Sequence, residues 1–545
     1  MKIRRYAGLF ATLAAGALVL SACSGSTTPS KTTAAETTAA TSTGVVTANG
    51  SEPQNPLIPT NTNETGGGKI LDLIFAGLVY YGADGAPHNE IADSITSSDS
   101  VTWTVKLKSG WTFSDGTPIK AKNFVDAWQY GALLSNAQLN SYFFEDIEGF
   151  SYDADSPLTG LTVVDDTTFT IKLVKPLADY PLRLGYSAYA ALPDVAFKDM
   201  KAFGENPIGS GPYKVDKWNH NVDITLVPND TYKGERKAAN GGVKFTFYSS
   251  QDTAYNDLLA GNLDVLDAVP DSAYSTFETE LGDRAVNQPA AIFQSFTIPE
   301  SLKHWGGEEG QLRRAAVSMA IDRQAITKAI FEGTRTPASD FTSPVIAGWS
   351  DKISGSDVLK YNQDQAKKLW AQADAISKWD GTFTIAYNSD GGHQTWVDAV
   401  LNSVKNTLGI ETAGQPYAAF KDLRTDVVAA KKGEASGLTG GFRTGWQADY
   451  PGLFNFLGPL YATNASSNDG NYSNPEFDAL LSKGSQAASV DDANKAFQDA
   501  QVILFKDLPA IPLWYSNVTG GFGKAVGNVK FGWNSVPLYW AITKA

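Results

Sequence analysis

Short β-strand patterns alternate with helix patterns along most of this 545-residue chain. Residues 101–108 alternate strictly between apolar and polar side chains, as expected of a half-buried strand. Residues 311–331 place their apolar side chains at helical spacing, which predicts one amphipathic helix. Alternating strands and helices favour an α/β fold, and the chain is too long for a single hydrophobic core. We therefore predict about two to four domains, built as α/β lobes.

Further helices are predicted at residues 69–81 and 394–408, and Gly409 closes the second of them. A strand at residues 383–387 precedes that second helix. His393 lies at the start of the helix, where backbone N–H groups and the helix dipole favour an anion. The alternative is that His393 only caps its helix.

Charge and cysteine content exclude several classes of function. The net charge of −14 leaves no basic stripe that could neutralise nucleic-acid phosphates. Cys23 is the one cysteine, which excludes an internal disulfide and any zinc or iron–sulfur site with more than one thiolate. The four histidines are far apart, and no nucleophile-elbow motif is present. We predict a protein that is not an enzyme, with no catalytic residue, metal site, cofactor or nucleic-acid partner.

The N-terminus has the parts of a secretory signal peptide. The first five residues include three basic side chains, residues 7–20 form a short apolar run, and small residues precede Cys23. This Leu-Ser-Ala-Cys ending resembles the lipobox of bacterial lipoproteins, in which the cysteine is acylated and becomes the mature N-terminus. We predict a signal peptide at residues 1–22, lipid attachment at Cys23 and a disordered Ser/Thr-rich tether at residues 23–45.

Residues 441–451, Gly-Phe-Arg-Thr-Gly-Trp-Gln-Ala-Asp-Tyr-Pro, carry the strongest binding signal in the chain. We predict a turn here that presents Arg443, Trp446 and Asp449. A carboxylate beside an aromatic wall suits a ligand ammonium, and Arg443 supplies the opposite charge for a carboxylate. A zwitterion with separated ends fits this arrangement. The alternative is a loop in which Asp449 caps a turn and Trp446 belongs to the core.

Three segments resemble one known family. They are Gly-Trp-x-Ala-Asp-Tyr at residues 445–450, Phe-Ser-Asp-Gly-Thr-Pro at 113–118 and Pro-Ile-Gly-Ser-Gly-Pro-Tyr at 207–213. From about Gly50 to its C-terminus the chain is similar to the oligopeptide- and dipeptide-binding proteins of ABC importers. This resemblance implies an α/β, two-lobed periplasmic-binding-protein-like fold with a hinge and an extra inserted subdomain, the large peptide-binding type.

The resemblance also implies how the lobes are built. Lobe one contains residues 46–290 plus 513–545, with the inserted subdomain at about 85–200. Lobe two contains residues 291–512, and the lobes close on the ligand by a hinge motion. The two strands that cross between the lobes are expected near residues 293–297 and 510–515.

The same resemblance assigns candidate ligand-binding residues. Asp449 holds the free α-amino group of a peptide, and Trp446 forms a wall of the cleft. Arg443 and His393 align with positions that meet the carboxylate of short peptides, although an ion pair with a surface carboxylate is the alternative for Arg443. The other candidates are Gln447 at an open pocket position, Glu52 and Gln54 in an N-terminal segment that lines the cleft, and Tyr142 as a facing tyrosine.

The implied function is the lipid-anchored substrate-binding component of an ABC importer, which captures short peptides and delivers them to permease subunits. We expect a monomer at the outer face of the cytoplasmic membrane, held there by its lipid anchor only. The long Ser/Thr tether favours a Gram-positive cell surface. The alternatives are a same-fold receptor for a non-peptide solute such as an oligosaccharide, and a surface hydrolase. Asp449 favours a peptide, because a neutral sugar gives a buried carboxylate no charge to pair with.

Overall fold

The computed structural model describes residues 43–389, 393–418, 420–465 and 467–544. Strands and helices alternate through this part of the chain, with short 3-10 helices between them. The strands are β1 Val45–Gly50, β2 Val79–Tyr81, β3 Pro87–Asn89, β4 Ala92–Thr96, β5 Thr102–Leu107, β6 Leu161–Asp165, β7 Thr168–Lys172, β8 Tyr213–Asn219, β9 Asp223–Pro228, β10 Gly242–Phe247, β11 Val265–Leu266, β12 Ala285–Thr297, β13 Arg335–Pro337, β14 Phe383–Asn388, β15 Thr412–Tyr417, β16 Gly441–Gln447, β17 Ala510–Phe522, β18 Val526–Gly527 and β19 Thr543–Lys544. The helices are α1 Thr65–Ile74, α2 Ala121–Ala132, α3 Tyr180–Arg183, α4 Met200–Glu205, α5 Gln251–Ala260, α6 Phe277–Leu281, α7 Gly307–Ala320, α8 Arg323–Phe331, α9 Gln363–Ile376, α10 Gln394–Leu408, α11 Phe420–Lys431, α12 Leu453–Tyr461, α13 Pro475–Ser485 and α14 Val490–Asp507.

The largest sheet has 11 strands in the order β15-β14-β16-β12-β17-β11-β1-β10-β9-β8, with β13 pairing beside β17. β14 runs parallel to both β15 and β16, whereas β12 is antiparallel to β16 and β17. A separate four-stranded antiparallel sheet has the order β4-β5-β7-β6. The predicted α/β architecture is confirmed, and the four-stranded sheet lies within residues 85–200, where we predict the inserted subdomain.

Two large hydrophobic clusters form the core, and both include side chains of the long strands β12 and β17. The first cluster contains buried side chains of β1, α1 and α2, and the second contains those of α7, β14, α10 and α14. Phe293 of β12 and Trp514 of β17 belong to the second cluster. Val286 and Val518, further along the same strands, pack in the first. Each of the two strands therefore passes from one cluster to the other.

The pairing of β12 with β17 is irregular at the point where both strands pass from one hydrophobic cluster to the other. Pro289 lies opposite Asn517 and Phe293 lies opposite Tyr515, so three residues of β12 face the single residue Ser516 between these pairs. Pro289 has no backbone N–H and cannot donate a hydrogen bond to the sheet. The segments predicted to cross between lobes lie within these two strands, while the lobe boundaries themselves stay a prediction.

Helix α1 ends at Ile74 and not at residue 81, so the helix prediction there is wrong in its second half. The backbone N–H of Gly211 donates to the Ile74 carbonyl oxygen at 2.8 Å. A Cβ on Gly209 would lie 1.9 Å from the same oxygen, so only glycine allows this close approach. The glycine-rich segment therefore packs directly against the end of the helix, and Val79–Tyr81 forms β2 instead.

The single helix predicted at residues 311–331 is wrong, because the structure has two helices there. α7 ends at Ala320, and α8 begins at Arg323 with Asp322 as its N-cap. The Asp322 Oδ1 atom accepts a hydrogen bond from the backbone N–H of Ala325 at 2.9 Å. The apolar spacing continues across this break, so periodicity alone does not reveal it.

The turn predicted at residues 441–451 is also wrong over most of its length. β16 occupies Gly441–Gln447 and pairs with β12 from Phe442 onwards. Gln294 of β12 lies 150 residues before its neighbour Thr444 in the sequence. The extended conformation therefore comes from a distant strand, which the local sequence does not show.

Other local predictions are confirmed. Residues 101–108 contain β5, and α10 has the predicted bounds. Gly409 closes α10 with a φ of 70°, a conformation that glycine adopts without strain. β1 begins at Val45, one residue before the predicted start of the fold. Among the described residues, every helix is too short or too polar to span a bilayer.

Replacing Asp322 by alanine should lower the free energy of unfolding by about 1 kcal/mol, because the first N–H groups of α8 lose their cap. Urea unfolding followed by circular dichroism measures the change. Asp322→Asn is the matched control, since asparagine caps a helix as well as aspartate does. An equal loss in both variants would contradict the capping role and assign the effect to the carboxylate charge.

Candidate functional site

The carboxyl end of β16 leads into the candidate site, and one edge of this strand is only partly used. Its edge towards β12 is paired from Phe442 to Gln447. Its other edge pairs with the parallel strand β14 at Gly441 and Phe442 only, within the described residues. β14 ends at Asn388, so β16 extends beyond its parallel neighbour. Ligands of α/β proteins bind in the crevice at the carboxyl ends of such strands.

Asp449 follows β16 and is oriented by Asn455 of α12. The Asn455 amide nitrogen donates to Asp449 Oδ2 at 3.2 Å, and its oxygen accepts from the Asp449 backbone N–H at 3.0 Å. The same oxygen accepts from Trp446 Nε1 at 3.0 Å. Asn455 is buried and therefore fixes Trp446 and Asp449 relative to each other. The sequence analysis missed Asn455, whose only signal is a polar residue within the otherwise apolar helix Leu453–Tyr461.

The Asp449 carboxylate has no cation of its own. Burial raises its pKa, while the hydrogen bond from Asn455 and the positive charge of Arg183 offset part of this increase. Arg183 is already committed, because its Nη1 atom lies 2.6 Å from Asp146 Oδ2 and its guanidinium lies over the Tyr450 ring at 5.1 Å. Asp449 forms no ion pair with another described residue. A charged ligand group would complete this site.

A cavity of about 280 Å³ lies beside Asp449, and we call it the Asp449 cavity. Gln447, which is exposed, also lines it. Its aromatic lining residues are Phe75, Tyr81, Tyr186 and Trp533. The Tyr81 and Trp533 rings meet edge to face, with their centroids 5.5 Å apart. These rings give the carboxylate an apolar surrounding, which strengthens its attraction for a cation.

Tyr142, Phe143 and Tyr186 form a row of aromatic rings near Asp449. The ring centroids are 4.5 Å apart in the first pair and 4.2 Å apart in the second. Burial raises the pKa of Tyr142 and of Tyr186, and the Asp449 carboxylate raises both further. The structure thus brings Tyr142, the predicted facing tyrosine, into the electrostatic neighbourhood of Asp449. A row of ring faces beside a carboxylate favours a bound cation.

The two basic residues that line the Asp449 cavity are already paired. Lys69 lies 2.7 Å from Asp267 Oδ2, and Arg236 lies 2.8 Å from Glu90 Oε1. Their charges therefore leave the Asp449 carboxylate unneutralised. In the described part of the chain, no group of three or more His, Cys, Asp or Glu side chains could hold a metal ion.

A second cavity, of about 230 Å³, lies against β16, and we call it the Trp446 cavity. Arg443, Thr444 and Trp446 line it, together with Ser467, Asn468, Asp469, Gly470 and Tyr472. Ser295 Oγ lies 2.7 Å from Thr444 Oγ1 at its polar side. Its apolar lining residues are Leu423, Val427, Phe442, Leu460 and Tyr461.

A third cavity, of about 450 Å³, lies where β12 and β17 change cluster, and we call it the His393 cavity. His393 and Thr395 line it at the N-terminal end of α10. Gln294 of β12 and Trp514 of β17 line it as well, and these two residues are paired across the sheet. The His393 cavity therefore lies close to the irregular pairing of β12 with β17, next to side chains of the second cluster.

The structure places Arg443 and His393 on different cavities. Arg443 Nε donates to Asn388 Oδ1 at 2.7 Å. His393 Nδ1 accepts from Trp396 Nε1 at 3.0 Å. Their expected roles at one ligand carboxylate stay predictions, and the loop between β14 and His393, at residues 390–392, lies outside the described residues.

Glu52 and Gln54 line none of these three cavities. The Glu52 carboxylate accepts from the Asn221 backbone N–H at 2.8 Å and lies 2.7 Å from His220 Nδ1. The Gln54 backbone N–H donates to Glu64 Oε1 at 3.4 Å. The Glu52 side chain thus contacts the turn between β8 and β9. That the backbone of residues 52–54 lines the ligand cleft stays a prediction.

Comparison with known proteins identifies the family. The family model of bacterial extracellular solute-binding proteins, family 5 Middle, matches residues 86–468. The oligopeptide-binding protein OppA of Bacillus subtilis is 25% identical over 521 residues, which cover 91% of this chain and 92% of that protein. The periplasmic murein peptide-binding protein MppA of Escherichia coli is 26% identical over 469 residues, covering 82% and 83%.

The fold agrees with that of solved structures. The unliganded open form of the murein tripeptide-binding protein MppA matches with a TM-score of 0.80 at 22% identity, covering 93% of this chain and 98% of that chain. The resemblance found in the sequence and the predicted fold class are therefore confirmed. Since the family model matches well over half of its residues, this chain belongs to the bacterial extracellular solute-binding proteins of family 5.

Proposed function

We propose that this protein binds short peptides and, as the substrate-binding component of an ABC importer, delivers them to permease subunits. The observation that carries the proposal is the Asp449 carboxylate, which is desolvated, lies near aromatic rings and forms no ion pair with another described residue. The α-ammonium group of a peptide supplies the charge that this carboxylate lacks. OppA and MppA, by their names, bind oligopeptides and murein peptides, which agrees with the proposal.

The free edge of β16 supports a peptide ligand over a neutral sugar. An extended peptide beside residues 444–447 would add to the sheet as a further strand, held by main-chain hydrogen bonds. Every peptide has these main-chain groups, so such binding depends little on side chains. The Trp446 and His393 cavities, of about 230 and 450 Å³, offer room for side chains together with water.

We infer that the two hydrophobic clusters are the cores of two lobes. Lobe one comprises residues 46–290 plus 513–545, and lobe two comprises residues 291–512. The irregular pairing of β12 with β17 near Pro289 is the hinge about which they close on a ligand. Closure would exclude water from Asp449 and strengthen its attraction for the ligand ammonium.

The membrane attachment is inferred from the sequence, because residues 1–42, including Cys23, lie outside the described residues. Acylation of Cys23 would hold the monomeric protein at the outer face of the cytoplasmic membrane, at a Gram-positive cell surface. Two or more acyl chains suffice for stable attachment. The permease subunits would then meet the ligand-loaded protein at the same membrane.

A pool of tri- to pentapeptides should raise the thermal stability of the mature protein, and N-acetylation of the pool should abolish the effect. Acetylation removes the ammonium charge that pairs with Asp449. A ligand at one hundred times its dissociation constant adds about 2.7 kcal/mol to the free energy of unfolding. Differential scanning fluorimetry measures the shift, and Asp449→Asn should show none with either pool.

Asp93→Asn is the matched control for this experiment, because Asp93 is exposed on β4 and lines none of the three cavities. This variant should respond to peptides like the unchanged protein. No response to either pool would overturn the peptide proposal, and oligosaccharides would then be the next ligands to test. An equal response to both pools would keep a peptide ligand but remove Asp449 from its role.

Without ligand, Asp449→Asn should be more stable than the unchanged protein at pH 7. Folding raises the pKa of Asp449, so the charged form is disfavoured in the folded state and the neutral amide avoids that penalty. The gain should shrink as the pH falls towards the raised pKa, where Asp449 itself becomes neutral. Thermal unfolding between pH 7 and pH 4 checks this, with Asp93→Asn as reference. A loss of stability at pH 7 would show that the carboxylate is structural.

A further inference from the structure

Asp72 is a second carboxylate at the Asp449 cavity, and it shares its cation with another carboxylate. Asp72 belongs to α1 and lines the cavity. Arg236 Nη1 lies 3.3 Å from Asp72 Oδ1, whereas Arg236 Nε and Nη2 donate to Glu90 at 2.8 and 3.0 Å. Among the described residues, neither carboxylate forms an ion pair with any other cation. One guanidinium cannot balance two carboxylates, so Asp72 keeps part of its negative charge uncompensated.

The Asp72 carboxylate is within reach of a ligand. Its side chain is 58% exposed, whereas that of Glu90 is fully buried. Although Asp72 is exposed, the protein around it desolvates the carboxylate and raises its pKa, and the Glu90 charge adds to this increase while Arg236 offsets part of it. Desolvation and repulsion by Glu90 therefore both disfavour the charged form of Asp72. A ligand cation would stabilise that form.

The other charged residues that line the Asp449 cavity are committed elsewhere. Both carboxylate oxygens of Glu64 accept from the backbone N–H of Gly67 at 2.9 Å and so cap α1. The two basic lining residues are ion-paired, as described above. Asp72 and Asp449 are therefore the two lining carboxylates that a cationic ligand can meet.

The wall of the cavity formed by α1 leaves space for a ligand group. Thr65, Gly68 and Asp72 line the cavity and lie on one face of this helix, at helical spacing. A Cβ on Gly68 would meet no atom within 4 Å, so this face is open one turn before Asp72. Thr62 also lines the cavity, and its buried Oγ1 atom has no hydrogen-bond partner among the described residues. Since buried hydroxyls are usually hydrogen-bonded, this wall suits a polar ligand group.

The first side chain of a bound peptide would lie near these groups. The α-ammonium group and the first side chain are attached to the same carbon atom, so a peptide held at Asp449 places its first side chain at the Asp449 cavity. Tyr81 and Trp533 offer an aromatic surface against which an alkyl chain can pack. Burial raises the pKa of Tyr81, and the Asp72 charge adds to this increase, which places the carboxylate near that surface.

We propose that Asp72 selects peptides whose first residue is basic, by pairing with the lysine ammonium or arginine guanidinium while Asp449 binds the α-ammonium group. This inference rests on the proposed function. The alkyl part of the first side chain lies in the space beside Gly68, and its charged end reaches Asp72. An acidic first side chain would meet two carboxylates and be repelled. The ligand class is thereby narrowed to peptides with two positive charges at the amino end.

The test compares two tetrapeptide pools that differ only in the first residue, which is lysine in one and norleucine in the other. Norleucine keeps the alkyl chain and lacks the terminal ammonium. Isothermal titration with the mature protein should give at least about tenfold tighter binding of the lysine pool, as expected for a charge-assisted hydrogen bond. Asp72→Asn should bind the lysine pool as weakly as the norleucine pool, with its affinity for the norleucine pool unchanged. Asp72→Glu keeps the charge and should regain part of the preference.

Asp93→Asn is the matched control and should keep the preference for lysine. A preference that persists in Asp72→Asn, or that disappears in Asp93→Asn, would overturn the assignment. Equal binding of both pools by the unchanged protein would overturn the role of Asp72 and leave the peptide proposal standing. Failure of both pools to bind would overturn the peptide proposal, and this assignment with it.

Gly68→Leu tests where the first side chain lies. Leucine is well tolerated in a helix and would fill the open space one turn before Asp72. This variant should bind the lysine and norleucine pools more weakly than the unchanged protein does, and a pool that begins with glycine equally well. Unchanged affinity for the lysine pool would show that the first side chain lies elsewhere and would overturn the assignment.

Discussion

The pairing of β12 with β17 is the constraint on which the rest of the structure depends. Each strand has 13 residues and contributes side chains to both hydrophobic clusters. β16 is held on β12, so the position of Asp449 follows from the course of β12. Tyr186, on the facing wall of the Asp449 cavity, packs against the first cluster. If the crossing near Pro289 is the hinge, as proposed, a change there would alter the distance between the two walls of that cavity.

Asp449 differs from a buried carboxylate that serves the fold. Glu90 is more deeply buried, but Arg236 donates to both of its oxygens, at 2.8 and 3.0 Å. Such a pair satisfies the charge within the folded protein. In place of such a pair, Asp449 accepts a hydrogen bond from the Asn455 amide, while Arg183 pairs with Asp146, and burial raises the pKa of Asp449. Perturbed ionisation in a cavity is typical of functional sites, and for Asp449 it results from burial that no ion pair with a described residue offsets.

Helices and strands could be predicted from the sequence where several local signals agree. The predictions are wrong where contacts with residues far away in the sequence determine the backbone conformation. α10 could be predicted to the residue because its apolar spacing and Gly409 point to the same end. The break at Asp322 is hidden by apolar spacing that continues across it. β16 owes its conformation to β12, far away in the sequence. Asn455 leaves only a weak signal, because it is a single polar residue in an otherwise apolar helix, and its contacts with Trp446 and Asp449 appear only in the folded protein.

The position of Asp449 at the end of β16 would give a bound peptide its direction. A strand added to a sheet edge can run parallel or antiparallel, so main-chain hydrogen bonds alone do not choose between them. Under the proposed function, the Asp449 carboxylate would bind the amino end of the chain and so stabilise only one of these orientations. Affinity would then come from the main chain and orientation from the amino end, while the cavities would accept different side chains. Such a receptor would discriminate by the state of the ligand's amino end more than by its sequence.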